Sequence, residues 1–173
     1  MARETRCIRI EGDIAYVPLT KGYEAVIDAE DVPLVSGASW RAAVGKWAVY
    51  AIRNHSDGEL KTTISMHRLI MGAPVGLEVD HRDGNGLNNR RHGETGNLRV
   101  ATTSQNQFNQ RVSVANSSGF KGVTLVKSLG KWQAQIRHGK ARRYLGLHAT
   151  KEAAHAAYCA ASLELHGEFR RLA

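Results

Sequence analysis

Residues 78–86 read "EVDHRDGNG": an aspartate set directly against a histidine, Asp80-His81, just ahead of a glycine-rich turn. "LEVDH" reads as a short strand, and "RDGNG" has the residues of a turn. Sixteen residues beyond His81, at Asn97, begins the amide-rich run "NLRVATTSQNQFNQ". A zinc site would need several Cys or His at short, regular spacing. Here His67, His81 and His92 stand with no thiol among them. An EF-hand fares little better. Asp83, Asn85 and Glu94 fall at loop positions 1, 3 and 12, but Leu87 and Asn88 occupy positions 5 and 6, the latter reserved for glycine.

Phosphodiester cleavage is the third possibility. It needs a water deprotonated near neutral pH and a cation to take up charge developing on the phosphate. Histidine, with an ordinary pKa of about 6.5, suits the first task. Mg²⁺ takes hard oxygen ligands, few of them from protein, and Asp80 with an asparagine from a facing element would meet that need. Adjacent strand residues point to opposite faces, so a twist at the strand end or a bridging phosphate must bring Asp80 and His81 to one centre. Asn85, Asn88 and Asn89 read as turn and loop formers.

Working outward, residues 6–55 read mostly as strand. Ile8 and Ile10, then Gly12-Asp13, then Ile14 and Tyr16 have the alternation of a hairpin around a two-residue turn. Trp47, Val49 and Ala51 alternate likewise, and Asp28 or Asp31 is available to cap a short helix between these strands. "SMHRLIMGAP", residues 65–74, predicts a short helix ended by Gly72 and Pro74. Residues 102–110 predict a polar helix capped by Thr102 or Thr103, and 111–119 a polar linker.

The last third is the most regular. "KGVTLV", "KWQAQIR" and "RRYLGL" are three strand-like runs, the last two separated by Gly139-Lys140. A helix follows, with Thr150 at its N-cap, Gly167 past its end, and Ala154, Tyr158, Ala161 and Leu165 forming one apolar stripe. Trp132, Ala134 and Ile136 would pack under that helix, leaving Gln133, Gln135 and Arg137 on the open face with Arg142 and Tyr144, and with Lys121 opening the first strand. These are side chains able to contact base edges and phosphates, and a small sheet can read a major groove.

Charge follows the same division. Through Gln110 the chain carries 13 Lys+Arg and 13 Asp+Glu; from Arg111 onward it carries 11 against three, so the whole net charge of +8 lies there. A polyanionic partner explains that asymmetry best. Cys7 and Cys159 form no disulfide framework, and no apolar run approaches a membrane span. A soluble, cytoplasmic protein with no membrane partner is expected.

The run from "MHRLIMGAP" through "VDHRDGNGLNNR" to "NLRVATTSQNQFNQ" resembles an HNH endonuclease of the phage and group I intron homing type. The resemblance implies a ββα-metal core around one divalent ion, Mg²⁺ or Mn²⁺, with no structural zinc. It implies His81 as general base, Asp80 and Asn106 as metal ligands, and Asn97 as the central asparagine that aims the histidine. It also implies that His67 and Arg68 touch the phosphate backbone. "RRHGETGNLR" carries a few extra residues, His92 to Gly96, that lengthen the loop at small entropic cost.

The segment from about Ser118 to Leu172, through "GFKGVT", "GKWQAQIR" and "LGLHATKEAAHAAYCAA", resembles an AP2 DNA-binding domain. That resemblance implies a three-stranded antiparallel sheet packed on one helix, with DNA contacts from Lys121, Gln133, Gln135, Arg137, Arg142 and Tyr144. Thr124 and Val126 stand where plant members usually carry arginine.

The expected fold is therefore α+β: a β-rich N-terminal module over 1–60, an HNH nuclease core over 61–110, a linker over 111–119 and an AP2-like domain over 120–173. The expected function is site-specific, homing-type endonuclease action on double-stranded DNA by a monomer that nicks one strand, inside a bacterium or a phage-infected host. The alternatives are an inactive HNH/AP2 DNA-binding regulator and a nuclease associated with phage packaging.

Overall fold

A computed structural model describes residues 7–171 apart from Asp57, Glu59 and Lys140; Lys140, expected in a turn, lies outside the described residues. The chain is mixed α and β, rich in sheet and poor in helix, and it divides after Thr102 into two units.

The first unit opens with β1 (Arg9–Glu11), β2 (Ile14–Pro18) and β3 (Glu24–Asp28), an antiparallel sheet in that order with Gly12-Asp13 at its first turn. A 3₁₀ turn and the single-turn helix α1 (Val32–Val35) follow. Neither Asp28 nor Asp31 caps a helix with its side chain; both are drawn instead to arginines from residues 90–91. A second antiparallel sheet is built from β4 (Arg41–Val44), β5 (Val49–Ser56) and β6 (Lys61–Ser65). It runs directly into α2 (Met66–Met71), which Gly72 ends in the left-handed conformation that glycine adopts at least cost. The hairpin of β7 (Glu78–His81) and β8 (Leu98–Ala101) completes the unit, pairing Asp80 with Arg99 and His81 with Leu98.

One core serves all of these elements. Ala15, Val17, Ala25 and Ile27 of the first sheet meet Ala42 and Ala51 of the second, Met66 and Ile70 of α2, and Val79 and Leu98 of the hairpin. Each fully buried side chain of the size of Ile27 or Ile70 contributes about 1.5–3 kcal/mol. Among the described residues, the sheets on the N-terminal side of the boundary expected near residue 60 and the histidine-bearing hairpin beyond it share this apolar interior.

The second unit begins with α3 (Thr103–Phe108) and holds β9 (Val123–Val126), β10 (Lys131–His138), β11 (Ala141–His148) and α4 (Lys151–His166). The three strands form an antiparallel sheet with β10 in the middle and a bulge between Ala134 and Gln135. Ala154, Tyr158 and Ala161 of α4 bury against Val123, Ala134 and Ile136, with Trp132, Leu145 and Leu165 packed around them. Thr150 caps α4, its hydroxyl accepting from the Ala153 amide at 3.1 Å. At the end of the segment expected as a linker, Ser118 is buried, its Oγ donating to Asn116 Oδ1 or to the Phe120 and Val123 carbonyls at 2.6–3.0 Å.

Candidate active site

The loop between β7 and β8 owes its shape to the residues of "RDGNGLNN". Asp83 accepts from the Asn85 amide at 2.7 Å and from Asn88 Nδ2 at 2.9 Å, and Asn85 accepts from the Leu87 amide at 3.1 Å. Such short-range bonds are how Asp and Asn substitute for backbone turns. Asn97 closes the loop from its far end. Its Oδ1 accepts from the Asp83 amide at 2.9 Å and its Nδ2 donates to the Asn88 carbonyl at 2.7 Å. One buried side chain thus spans both arms of the loop that follows His81.

Asp80 and His81 diverge as adjacent strand residues must. The Asp80 carboxylate meets Arg99, its cross-strand partner, with Oδ2 at 2.8 Å from Nε and 2.6 Å from Nη2; both residues are buried. His81 meets two other rings: His67 edge-on at a centroid distance of 5.0 Å and Tyr50 at 5.8 Å. Its Nε2 lies 3.2 Å from Asn89 Oδ1. Burial lowers the pKa of His81, against the Asn89 hydrogen bond and the nearby Asp83 and Asp80 charges, so the ring is neutral at neutral pH. Burial, with help from His81 and Arg68, pushes His67 further, down to about 3.

Of the pair expected to touch phosphate, Arg68 bonds to backbone carbonyls of its own unit. His67 is largely enclosed, and its Nδ1 is buried with no hydrogen-bond partner among the described residues. Arg68 donates to the Leu77 carbonyl at 2.7 Å and to the Ala73 and Pro74 carbonyls at 3.3 Å, fastening the connection from α2 to β7.

Asn85, Asn88 and Asn89 read alike in the sequence as turn and loop formers, and the structure separates them. Asn89 is fully buried and turns inward to His81. Its backbone is held by β3: the Asn89 amide donates to the Val26 carbonyl at 2.7 Å and the Val26 amide to the Leu87 carbonyl at 2.8 Å. The next residues continue the attachment. Arg90 pairs with Asp28 and Asp13 at 2.7 Å, and Arg91 grips both oxygens of Asp31 at 2.5 and 3.1 Å. Asp28, Asp31 and His92 have potential ligand atoms within 4.8 Å of one another, and arginines pair with both carboxylates. The module without a function in the sequence is the frame on which the His81 loop is hung.

Asn106 lies on α3, which groups with the second unit, whereas Asp80, His81 and Asn97 belong to the first. Within the second unit, the cross-strand pairs Gln135 with Tyr144 and Arg137 with Arg142 share the sheet face opposite α4, together with Gln133. Arg137, Arg142 and Tyr144 are exposed, Tyr144 by 59%. Arg143 points the other way and pairs with Glu164 of α4. Lys121 departs from expectation. It precedes β9 by two residues, and its Nζ donates to the carbonyls of Phe108 at 2.6 Å and Gln110 at 2.9 Å. Burial and the charge of Arg171 push its pKa down to about 8. It anchors the segment after α3 and is not displayed on the open face.

Residues 67–108 match a family described as HNH endonuclease. A protein of Acanthamoeba polyphaga mimivirus named "Uncharacterized HNH endonuclease L560" is 29% identical over 151 residues, 86% of this chain and 74% of its own length. "Protein 3.8" of Escherichia phage T7 is 31% identical over 99 residues, 57% of this chain and 77% of its own. No solved structure matches.

Proposed function

The chain belongs to the HNH endonuclease family and is a DNA endonuclease, and we propose that it hydrolyses one strand of double-stranded DNA at a chosen site with His81 as general base. The single observation that carries this reading is the setting of His81: a buried imidazole, its pKa lowered by that burial, with one nitrogen tied to an amide. A neutral ring can take a proton from water, whereas a charged one cannot.

Asp80 and Asn106 offer a carboxylate and an amide oxygen, hard donors whose chemistry fits Mg²⁺ or Mn²⁺. A cation held by donors of this kind would take up negative charge developing on the phosphate and the departing oxygen. The protein's own part is positional. Arg99 holds the Asp80 carboxylate in a fixed orientation, and Asn97 keeps the loop after His81 closed.

Target selection falls to the second unit. Its net positive charge and the row of Gln133, Gln135, Arg137, Arg142 and Tyr144 suit an AP2-like sheet reading a major groove. A site-specific reader joined to a nuclease suits a homing-type enzyme, and one histidine base per chain suits a monomeric nickase. A phage relative is in keeping with action inside a bacterium or an infected host. Among the described residues no helix is long and apolar enough to cross a membrane.

The test is incubation of supercoiled plasmid carrying the gene's own genomic neighbourhood with Mg²⁺ or with EDTA, using wild type and His81→Ala. Metal-dependent open circles from wild type alone are expected. Binding at a discrete site without cleavage in Mg²⁺ or Mn²⁺ would overturn the reading.

A further inference from the structure

We propose that Asn89 is a positioning residue that fixes the tautomer of His81, holding the hydrogen on Nε2 so that Nδ1 carries the lone pair used on water. This rests on the assignment of His81 as base and deepens it by naming the reacting nitrogen and the residue that selects it.

The argument begins with the amide. Asn89 Nδ2 lies 3.1 Å from the Leu87 carbonyl and 3.8 Å from the Met66 sulfur. A carbonyl oxygen only accepts, so the NH₂ group must face Leu87 and the amide oxygen must face His81. That oxygen, 3.2 Å from Nε2, also only accepts, so a neutral His81 must carry its hydrogen on Nε2. Nδ1 is then the nitrogen without a hydrogen. Reversing the amide would turn NH₂ towards His81 but set two acceptors against each other at Leu87.

The amide has little freedom to reverse or withdraw. Asn89 is 0% exposed, its backbone amide donates to Val26 of β3, and the Asn88 carbonyl just before it accepts from Asn97. A buried amide costs free energy unless its bonds are made, and a leucine of similar shape would avoid that cost. The cost is incurred where a histidine needs orienting, which follows the general rule that the partner of one ring nitrogen sets the role of the other.

The decisive measurement is the long-range ¹H–¹⁵N spectrum of the His81 ring in full-length protein, without DNA or added metal, at a pH where the ring is neutral. Wild type is expected to show Nε2 protonated and Nδ1 bare. Asn89→Leu removes the acceptor and should populate the Nδ1-protonated form. Asn89→Leu should also lower kcat on plasmid DNA about 100-fold, with KM and the melting temperature changed far less. A wild-type ring protonated on Nδ1 overturns the inference even if every variant fails to fold. So does an Asn89→Leu ring with an unchanged spectrum. An Nε2-protonated ring combined with a His81→Ala protein that still cleaves would instead refute the base assignment.

Discussion

Gly86 lies against the ring of Tyr50 so closely that a Cβ added to it would stand 2.5 Å from Tyr50 Cδ1 and 2.5 Å from the Val49 carbonyl oxygen. The glycine lets the loop after His81 come down onto β5, and the same tyrosine ring meets both His67 and His81. The second sheet therefore shapes the site from one side while β3 and the Asp28 and Asp31 carboxylates hold the loop from another. Gly86→Ala must displace the loop or the strand. A loss of about 1–3 kcal/mol is expected from such overpacking, read by thermal melting. Tyr50→Ala in the same chain should restore only part of it, because the Val49 carbonyl stays in place. A Gly86→Ala protein that melts like wild type would show that the loop does not press on β5.

Arg99 and Asp80 form a buried ion pair. Removing one partner of such a pair leaves an uncompensated charge, at about 3–5 kcal/mol. Arg99→Met should lose stability on that scale, and Arg99→Met with Asp80→Asn should regain much of it. If Asp80 is a cation ligand, Mg²⁺ or Mn²⁺ should raise the melting temperature of Arg99→Met more than that of wild type, since ligands that bind only the folded state stabilise it. Equal shifts in the two proteins would count against Asp80 as a ligand.

Acid should weaken the first unit in two stages. Burial pushes the Asp28 carboxyl upward, but the Arg90 hydrogen bond and the Arg91 and His92 amides outweigh it, leaving its pKa below the ordinary 3.8. Its contribution is fully present above that unfolded value and is lost as pH falls through the lowered folded one. His67 obeys the same sign: buried neutral, with a pKa near 3 against an ordinary 6.5, it contributes stability above 6.5 that declines as pH falls towards 3. Urea midpoints measured across this range should fall with acid from about 6.5 downwards. His67→Phe should flatten the upper part of that decline, and Asp28→Asn should flatten the part below about 4 while lowering stability at neutral pH. Parallel curves for wild type and His67→Phe would refute the role given to His67.

Local pattern was a good guide wherever the cause was local. The Gly12-Asp13 hairpin, the β10 alternation that sets Ala134 and Ile136 under α4, the Ala154–Tyr158–Ala161 stripe and the Thr150 cap each depend on neighbours a few residues away. Asn89 was not legible in this way. It sits among Asn85 and Asn88 in one loop, and only contact with His81 and with Val26, more than sixty residues back in the sequence, turns it inward. The arginines that fasten the loop are similar: Arg90 and Asp28 are 62 residues apart, so nothing in either segment announces the pair. Lys121 misled for the same reason. A lysine beside a strand of a basic domain reads as a surface cation until the carbonyls of residues 108 and 110 claim it.

Lys121 and Arg142 allow the DNA-reading face to be tested against the interior of the same unit. Arg142 is exposed beside Arg137, whereas Lys121 is enclosed and bonded to two carbonyls. If the open face binds DNA, Arg142→Ala should weaken binding and reduce the slope of log affinity against log salt by about 1, the signature of one lost phosphate contact. Arg137→Ala should cost roughly 1–3 kcal/mol on the specific site and blur discrimination among sequences if it reads a base. Lys121→Met should instead lower the melting temperature of the second unit and leave the salt slope unchanged, because its charge is already committed internally. Fluorescence anisotropy on labelled duplexes over a range of salt concentrations, with a melting curve for each variant, separates these outcomes. A salt slope that falls with Lys121→Met and not with Arg142→Ala would place the DNA on the other side of this sheet.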